Sequence, residues 1–296
     1  MTIYTIKNDY LTVTIHEKGA MLWSIKDRKG CEYLWQGNPE FWGGRAPNLF
    51  PYIGRMTEGK YTLEGKTYAM NRHGFARDMV FEEEQFSESC VVLSIKDTEQ
   101  TLEHYPYHFT FSIRYQLDGR KLSITYIVKN QDAKQMFFAV GGHPGFNVPF
   151  EEGTKFEDYV LEFDSVQNAK KVEFSENYLF SGEVIPYALE DGVRLPLHHD
   201  LFDHDAVVLT EVERSVRLMS KKTKRAIRVT FPKMPYVGFW HMPETTAPFV
   251  CIEPWSSLQS REGIIEDLST QPGLISLESG CTYENPWVIE VPEELE

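Results

Sequence analysis

The sequence predicts an all-β protein built as a large antiparallel sandwich or barrel. Three observations carry this: apolar residues recur with a period of two, helical periodicity is scarce, and turn residues bound roughly twenty short segments. The clearest strand alternates Phe109, Phe111, Ile113, Tyr115 and Leu117 with Thr110, Ser112, Arg114 and Gln116. Side chains of a strand point alternately to its two faces, so this pattern reads as half-buried. Asp118-Gly119 then signals a turn, and Leu122, Ile124, Tyr126 and Val128 resume the alternation to complete a hairpin.

In chain order, the opening Met1–Lys7 alternates in the same way, as do Leu11–Ile15, Val80–Phe86 and Val91–Ile95. Further candidates are Met136–Val140, Tyr159–Phe163, Ala206–Leu209, Val216–Leu218, Ile227–Phe231 and Trp287–Val291. Glu99–His104 and Ser257–Asp267 are the two short helical candidates. No internal repeat or Pro/Gly/Ser-rich linker divides the chain, and one domain over residues 1–296 is expected.

The hydrophobic fraction of 42% and the aromatic fraction of 14% supply ample core and exclude disorder. A formal charge of -14 argues against nucleic-acid binding, which needs a Lys/Arg surface to displace counterions from phosphates. No run of about 18 apolar residues suggests a membrane span, and the N-terminus lacks the pattern of a secretory signal. Cys31, Cys90, Cys251 and Cys281 lie far apart without a CxxC pair, which reads as reduced thiols in a cytoplasmic protein. Neither a monomer nor a homodimer is favoured.

The irregular stretches Trp42–Arg55, Met70–Asp78, Gly141–Pro149, Pro196–Asp205 and Met242–Glu253 hold most of the His, Gly, Pro and Trp residues. Loops on a rigid scaffold tend to carry function. In Gly141-Gly142-His143-Pro144-Gly145-Phe146-Asn147, Pro144 biases His143 toward extended backbone and the glycines permit close approach. An imidazole there suits a general acid, and equally a structural histidine in a tight turn. In Phe249-Val250-Cys251-Ile252-Glu253-Pro254-Trp255, apolar neighbours would raise the Glu253 pKa toward the range of a general base. Locally, a strand-end glutamate that pairs with an arginine or caps a turn is an equal reading. Arg72-His73-Gly74-Phe75-Ala76-Arg77-Asp78 and Gly54-Arg55 offer donors for sugar hydroxyls or an anion. Trp35, Trp42, Tyr52, Trp240 and Trp255, read as lying outside the strands, suit stacking on a pyranose, although most such rings serve a core.

The order Gly-Arg, His-Gly, Gly-His-Pro-Gly-Phe-Asn and Glu-Pro-Trp resembles the aldose 1-epimerase (galactose mutarotase) family, above all its LacX-type branch, over nearly the whole chain. The resemblance implies a β-supersandwich, no metal or other cofactor, and a histidine and a glutamate that interconvert the α and β anomers of a free sugar. On that pattern His143 matches the acid, Glu253 the base, His73 a second sugar-contacting histidine and Arg55 the substrate-binding arginine. Asp205, ahead of Asp203, matches the sugar-binding aspartate. Galactose mutarotases usually have Asn-Arg where this chain has Gly54-Arg55, and a second glycine where it has Phe75.

The closest alternative is a hexose-6-phosphate 1-epimerase, with Arg72 and Arg77 as a phosphate clamp, although so acidic a chain offers no electrostatic funnel for an anion. A catalytically silent sugar sensor is a further alternative. A glycosidase ranks lower, because its usual pair is two carboxylates. A metal site lacks HxH or HExxH spacing, and His198-His199-Asp200 suits a solvated loop.

Overall fold

A computed structural model describes residues 2–292; Met1 and residues 293–296 of the expected 1–296 unit lie outside it. Two large sheets dominate, and every ladder within them is antiparallel. The nine-stranded sheet runs from Arg194–Pro196 through Tyr159–Glu162, Ser215–Ser220, Ala226–Thr230, Thr282–Glu290, Lys121–Asn130, Phe109–Asp118 and Cys90–Lys96 to Glu82–Phe86. The eight-stranded sheet runs from Phe180–Pro186 through Lys170–Phe174, Val207–Thr210, Tyr236–Trp240, Phe249–Trp255 and Gly141–Gly142 to Asn48–Leu49, with Gly145–Asn147 also on Phe249–Trp255. A three-stranded sheet and two hairpin-sized ones complete the strands.

The predicted hairpin forms, with Asp118 opposite Lys121 and Gly119-Arg120 between them. Its inward set, Phe109, Phe111, Ile113 and Tyr115, is buried, as are Ile124, Tyr126 and Trp287 beside it. Across the interior lie Val237, Phe239, Val250 and Ile252 of the eight-stranded sheet, in the same hydrophobic cluster. Phe50 stacks on Phe111 with ring centroids 4.3 Å apart. The all-β sandwich expected from the period of two is therefore the architecture observed.

A polar knot ties the two sheets where the site begins. Asn48 donates to the carbonyls of Gly19 and Ala20 and to the Tyr115 hydroxyl, each at 3.0 Å, while its Oδ1 accepts from the Tyr126 hydroxyl at 3.0 Å. Tyr126 also reaches the Gly141 carbonyl, at 3.0 Å. A buried amide that loses these partners leaves others unsatisfied. Asn48→Ala is therefore expected to destabilise the fold by about 2–3 kcal/mol in urea melts. A loss under about 0.5 kcal/mol would show that the knot is dispensable.

Several local expectations need correction. Glu99–His104 is helical, capped by Thr98, which accepts from the Thr101 N–H at 3.1 Å. Ser257–Asp267 is not helical, because its backbone bonds go to distant chain: Ser260 N–H to the Arg55 carbonyl at 3.0 Å and Glu262 N–H to Phe180 at 2.8 Å. Tertiary partners here override a weak local periodicity. Trp240 and Trp255 lie within strands rather than outside them, and Gly141–Pro149 and Met242–Glu253 are partly strand. Val80 precedes its strand, which begins at Glu82. His199 sits in a short 3-10 turn, stacked on Phe156 at 4.1 Å, rather than in a solvated loop. All four cysteines are free, and among the described residues no helix is long and apolar enough to cross a membrane.

Candidate active site

The strand Phe249–Trp255 is buried on both faces. Val250 and Ile252 enter the main core, so Cys251, Glu253 and Trp255 point the other way. Register with the neighbouring strand sets Trp240 opposite Cys251 and Gly238 opposite Glu253, so Trp240 shares that face. Glu253 is thus an interior strand residue and not the strand-end residue its local sequence allowed.

His143 lies between two short strands that both lean on Phe249–Trp255. Gly141 pairs with Trp255, and Gly145–Asn147 pair with Cys251–Phe249. The His143 N–H donates to Pro47 at 3.1 Å, while the Pro144 carbonyl accepts from Ile252 at 3.1 Å. The glycine before the histidine is required by packing, since a Cβ on Gly142 would stand 2.8 Å from the Trp287 ring. These constraints bring His143 Nε2 to 3.3 Å from Glu253 Oε2. The imidazole is boxed by three rings: Trp42 stacked at 5.0 Å, and Trp240 and His73 edge-on at 5.6 and 5.7 Å.

His73 is held by reciprocal bonds to Gly54. Its N–H donates to the Gly54 carbonyl at 2.9 Å, and its Nδ1 accepts the Gly54 N–H at 3.1 Å. An Nδ1 that accepts carries no proton, so the neutral ring bears its hydrogen on Nε2 as a donor. Arg55 follows Gly54; its guanidinium lies over the Tyr178 ring at 5.3 Å. Asp205 sits at the end of the His199–Phe202 turn, its N–H on the Phe202 carbonyl at 2.9 Å.

His143, Glu253, His73, Arg55, Arg77, Asp205 and Trp240, all singled out in the sequence, line one cleft of about 270 Å³. Arg72, Trp42 and Trp255 join them. Asp203 does not line this cleft; it is exposed and accepts the Glu244 N–H at 3.1 Å. Trp35 packs on Phe249 and Tyr52 lies in the core. The sequence reading missed Tyr178 and Gln259, which also line the cleft, with Gln259 Nε2 donating to the Tyr178 carbonyl at 2.9 Å. Neither carries a motif, and they meet across 81 residues of chain.

Burial sets the proton affinities. It pushes the Glu253 carboxyl well above the usual carboxylate range, reinforced by Asp205, while Trp255 and Arg72 oppose it. Burial lowers His143, with Arg72 and Arg77 adding to the shift against an opposing contribution from its own backbone. His73 is lowered well below its ordinary range by burial, then by His143 and the three arginines. Asp205 is raised by burial. Glu253 Oε2 and His143 Nδ1 are buried without a hydrogen-bond partner among the described residues. Buried polar atoms are normally satisfied, so this pair is set toward a ligand. His143, Cys251 and Glu253 stand close enough to share an ion, with donor atoms within 4.8 Å of one another. Burial holds the Cys251 thiol well above its usual range, so an ion bound there would have to displace the thiol proton.

Comparison with known proteins identifies the family. The family model for aldose 1-epimerase matches residues 2–273. The chain is 38% identical over 278 residues to the chromosomal protein LacX of Lactococcus lactis subsp. lactis, covering 90% of this chain and 92% of that protein. The crystal structure of a galactose mutarotase-like protein from Lactobacillus casei ATCC 334 superposes with a TM-score of 0.93 at 33% identity, covering 98% of this chain and 100% of the other. A galactose mutarotase related enzyme from Lactobacillus acidophilus gives 0.92 at 32% identity, covering 100% and 99%. With the fold, the order of its motifs and these relatives in agreement, the chain belongs to the aldose 1-epimerase family.

Proposed function

We propose that the cleft opens and recloses the ring of an aldose, interconverting its α and β anomers, with Glu253 and His143 as the base and acid. The observation that carries this reading is the 3.3 Å approach of His143 Nε2 to Glu253 Oε2 inside a cleft walled by indole rings. A pyranose has apolar faces suited to such rings and hydroxyl edges suited to Arg55, His73 and Asp205.

The chemistry requires one proton on the ring oxygen and one removed from the C1 hydroxyl. The pair holds one proton to share. In the empty cleft burial favours neutral partners, with the proton on Glu253. A bound sugar whose C1 hydroxyl donates to the carboxylate, and whose ring oxygen accepts from the imidazole, shifts that proton to His143 without exchange with solvent. Glu253 then takes the hydroxyl proton, His143 protonates the ring oxygen, the C1–O5 bond breaks and a C1 carbonyl forms. Rotation about C1–C2 and the reverse transfers give the other anomer, and no step calls for a metal.

The test is polarimetry on freshly dissolved α-anomers with wild type and His143→Ala. Equilibration no faster than without protein would remove the epimerase reading in favour of a silent sugar binder. The pH profile adds a second check. Glu253 is raised from 4.5 and His143 lowered from 6.5, so the one-proton state of the pair persists outward from both values. The kcat/KM profile should be a bell whose acid limb falls well below pH 6.5 and whose alkaline limb lies well above pH 4.5. An acid limb at the ordinary imidazole value would contradict the buried pair.

A further inference from the structure

The charge of the cleft runs opposite to that of the chain. Against a formal charge of -14 for the whole molecule, three arginines, Arg55, Arg72 and Arg77, line this one small cavity. They feel one another: burial first, then Arg55 and Arg77, lower the proton affinity of Arg72.

Several arginines elsewhere are locked to carboxylates, while Arg45 and Arg214 are held by carbonyl oxygens. Arg217 reaches Glu162 at 2.7 Å, Arg225 reaches Glu151 at 2.7 Å and Arg261 reaches Glu266 at 2.8 Å. In the cleft, Arg55 and Arg72 have neither an ion pair nor a side-chain hydrogen bond among the described residues. Among the described residues Arg77 has an ion pair only with the largely exposed Asp78, at 3.7 Å. Of the two acids that line the cavity, burial raises Glu253 well above its ordinary range, and raises Asp205 against the opposing pull of Arg72 and Arg55. Asp205 attracts Arg55 and Arg72 without an ion pair or hydrogen bond to either among the described residues, and three cations gathered around a single cavity repel one another, which a bound anion would offset.

We propose that this cleft selects an aldose carrying an anionic substituent, a phosphate or a carboxylate, which Arg55, Arg72 and Arg77 hold while C1 faces Glu253 and His143. The inference rests on the epimerase reading of the same site and narrows its substrate class. Neutral hydroxyls would leave these arginines without an ionic partner at bonding distance, whereas planar guanidinium forks match the oxygens of either anion. The cavity volume, about 270 Å³, accommodates a single sugar, and a wider groove of about 650 Å³ adjoins it through Phe174, Tyr178, Asp205 and Ala206. The acidic surface, which as a whole offers no funnel for anions, does not decide the matter, because the contacts that bind are local.

The experiment uses the full chain. Anomer equilibration is measured for glucose, glucose 6-phosphate and glucuronate, with calorimetric titration of each sugar and of inorganic phosphate. The expected result is a kcat/KM for one anionic sugar about 10- to 100-fold above that for glucose. Arg72→Gln and Arg77→Gln should collapse that ratio toward one, and Arg72→Lys should retain part of it. Preference for glucose 6-phosphate assigns a phosphate, and preference for glucuronate a carboxylate. A kcat/KM for glucose equal to or above both, with no heat from phosphate or either anionic sugar, overturns the proposal and leaves the epimerase reading standing. Binding of an anionic sugar that is lost in Arg72→Gln, without equilibration of any sugar, keeps the anion site and removes the epimerase reading. If the glutamine variants do not fold, the wild-type comparison among the three sugars decides.

Discussion

Glu253→Gln should lower kcat by about 10²- to 10⁴-fold while leaving the protein more stable than wild type. The loss follows from the removal of a proton acceptor at the cleft, where a buried carboxylate and an imidazole face each other 3.3 Å apart. The gain follows from linkage. Burial raises the folded-state pKa of Glu253 above its unfolded value of 4.5. The folded state therefore binds more protons than the unfolded one between those two values, and stability falls as pH rises through that interval. An amide has no such dependence. The advantage of the variant should be absent below about pH 4.5, grow above it and reach about 1–3 kcal/mol near neutrality. Melting temperatures across a pH series, paired with anomerisation rates, read both effects. A variant that loses activity and stability together would make Glu253 a structural residue, and a variant with wild-type kcat would remove it from the chemistry.

Gly74→Ala should cost about 3–5 kcal/mol of stability and abolish the site. Gly74 has φ +73°, where a side chain costs about 1–2 kcal/mol. More severely, an added Cβ would stand 2.2 Å from the Phe50 carbonyl oxygen, with backbone rather than a flexible side chain in the way. The loop cannot retreat without losing the bonds of Phe75 and Ala76 to that same carbonyl, at 3.1 and 3.2 Å, and these hold His73 beside Gly54. Gly65→Ala is the control: its φ is +76°, but nothing lies within 4 Å of the added Cβ. It should cost only about 1–2 kcal/mol in chemical denaturation and leave the cleft unaltered. Equal losses for the two variants would mean that backbone conformation, and not the close approach, makes Gly74 irreplaceable.

Much of the candidate site was legible because its residues sit in short motifs whose composition is unusual. Gly-Gly-His-Pro-Gly cannot be a plain strand or helix, and a glutamate in the otherwise apolar run Phe249–Trp255 calls for an explanation. Tyr178 and Gln259 left no such mark, since an exposed tyrosine in a turn and a glutamine in a loop are ordinary until their elements meet. Ser257–Asp267 misled for the related reason that its backbone partners, Arg55 and Phe180, lie far away in sequence. Trp240 was chosen as a wall of the site, but its place within a strand follows from its register opposite Cys251.

From order and composition alone came the class of fold, the two motifs and the chemistry they suit, because side-chain periodicity and residue type are local properties. Contact and charge balance were settled by the folded chain. His143 and Glu253, separated by 110 positions in the sequence, meet only when Gly141–Gly142 and Gly145–Asn147 align along Phe249–Trp255. The same packing removes water from the pair and moves both proton affinities away from their ordinary values. It also gathers three arginines of an acidic protein around one cavity. Net charge is a sum over the chain, whereas a ligand responds to the few groups within hydrogen-bonding reach, and those are selected by distance in space.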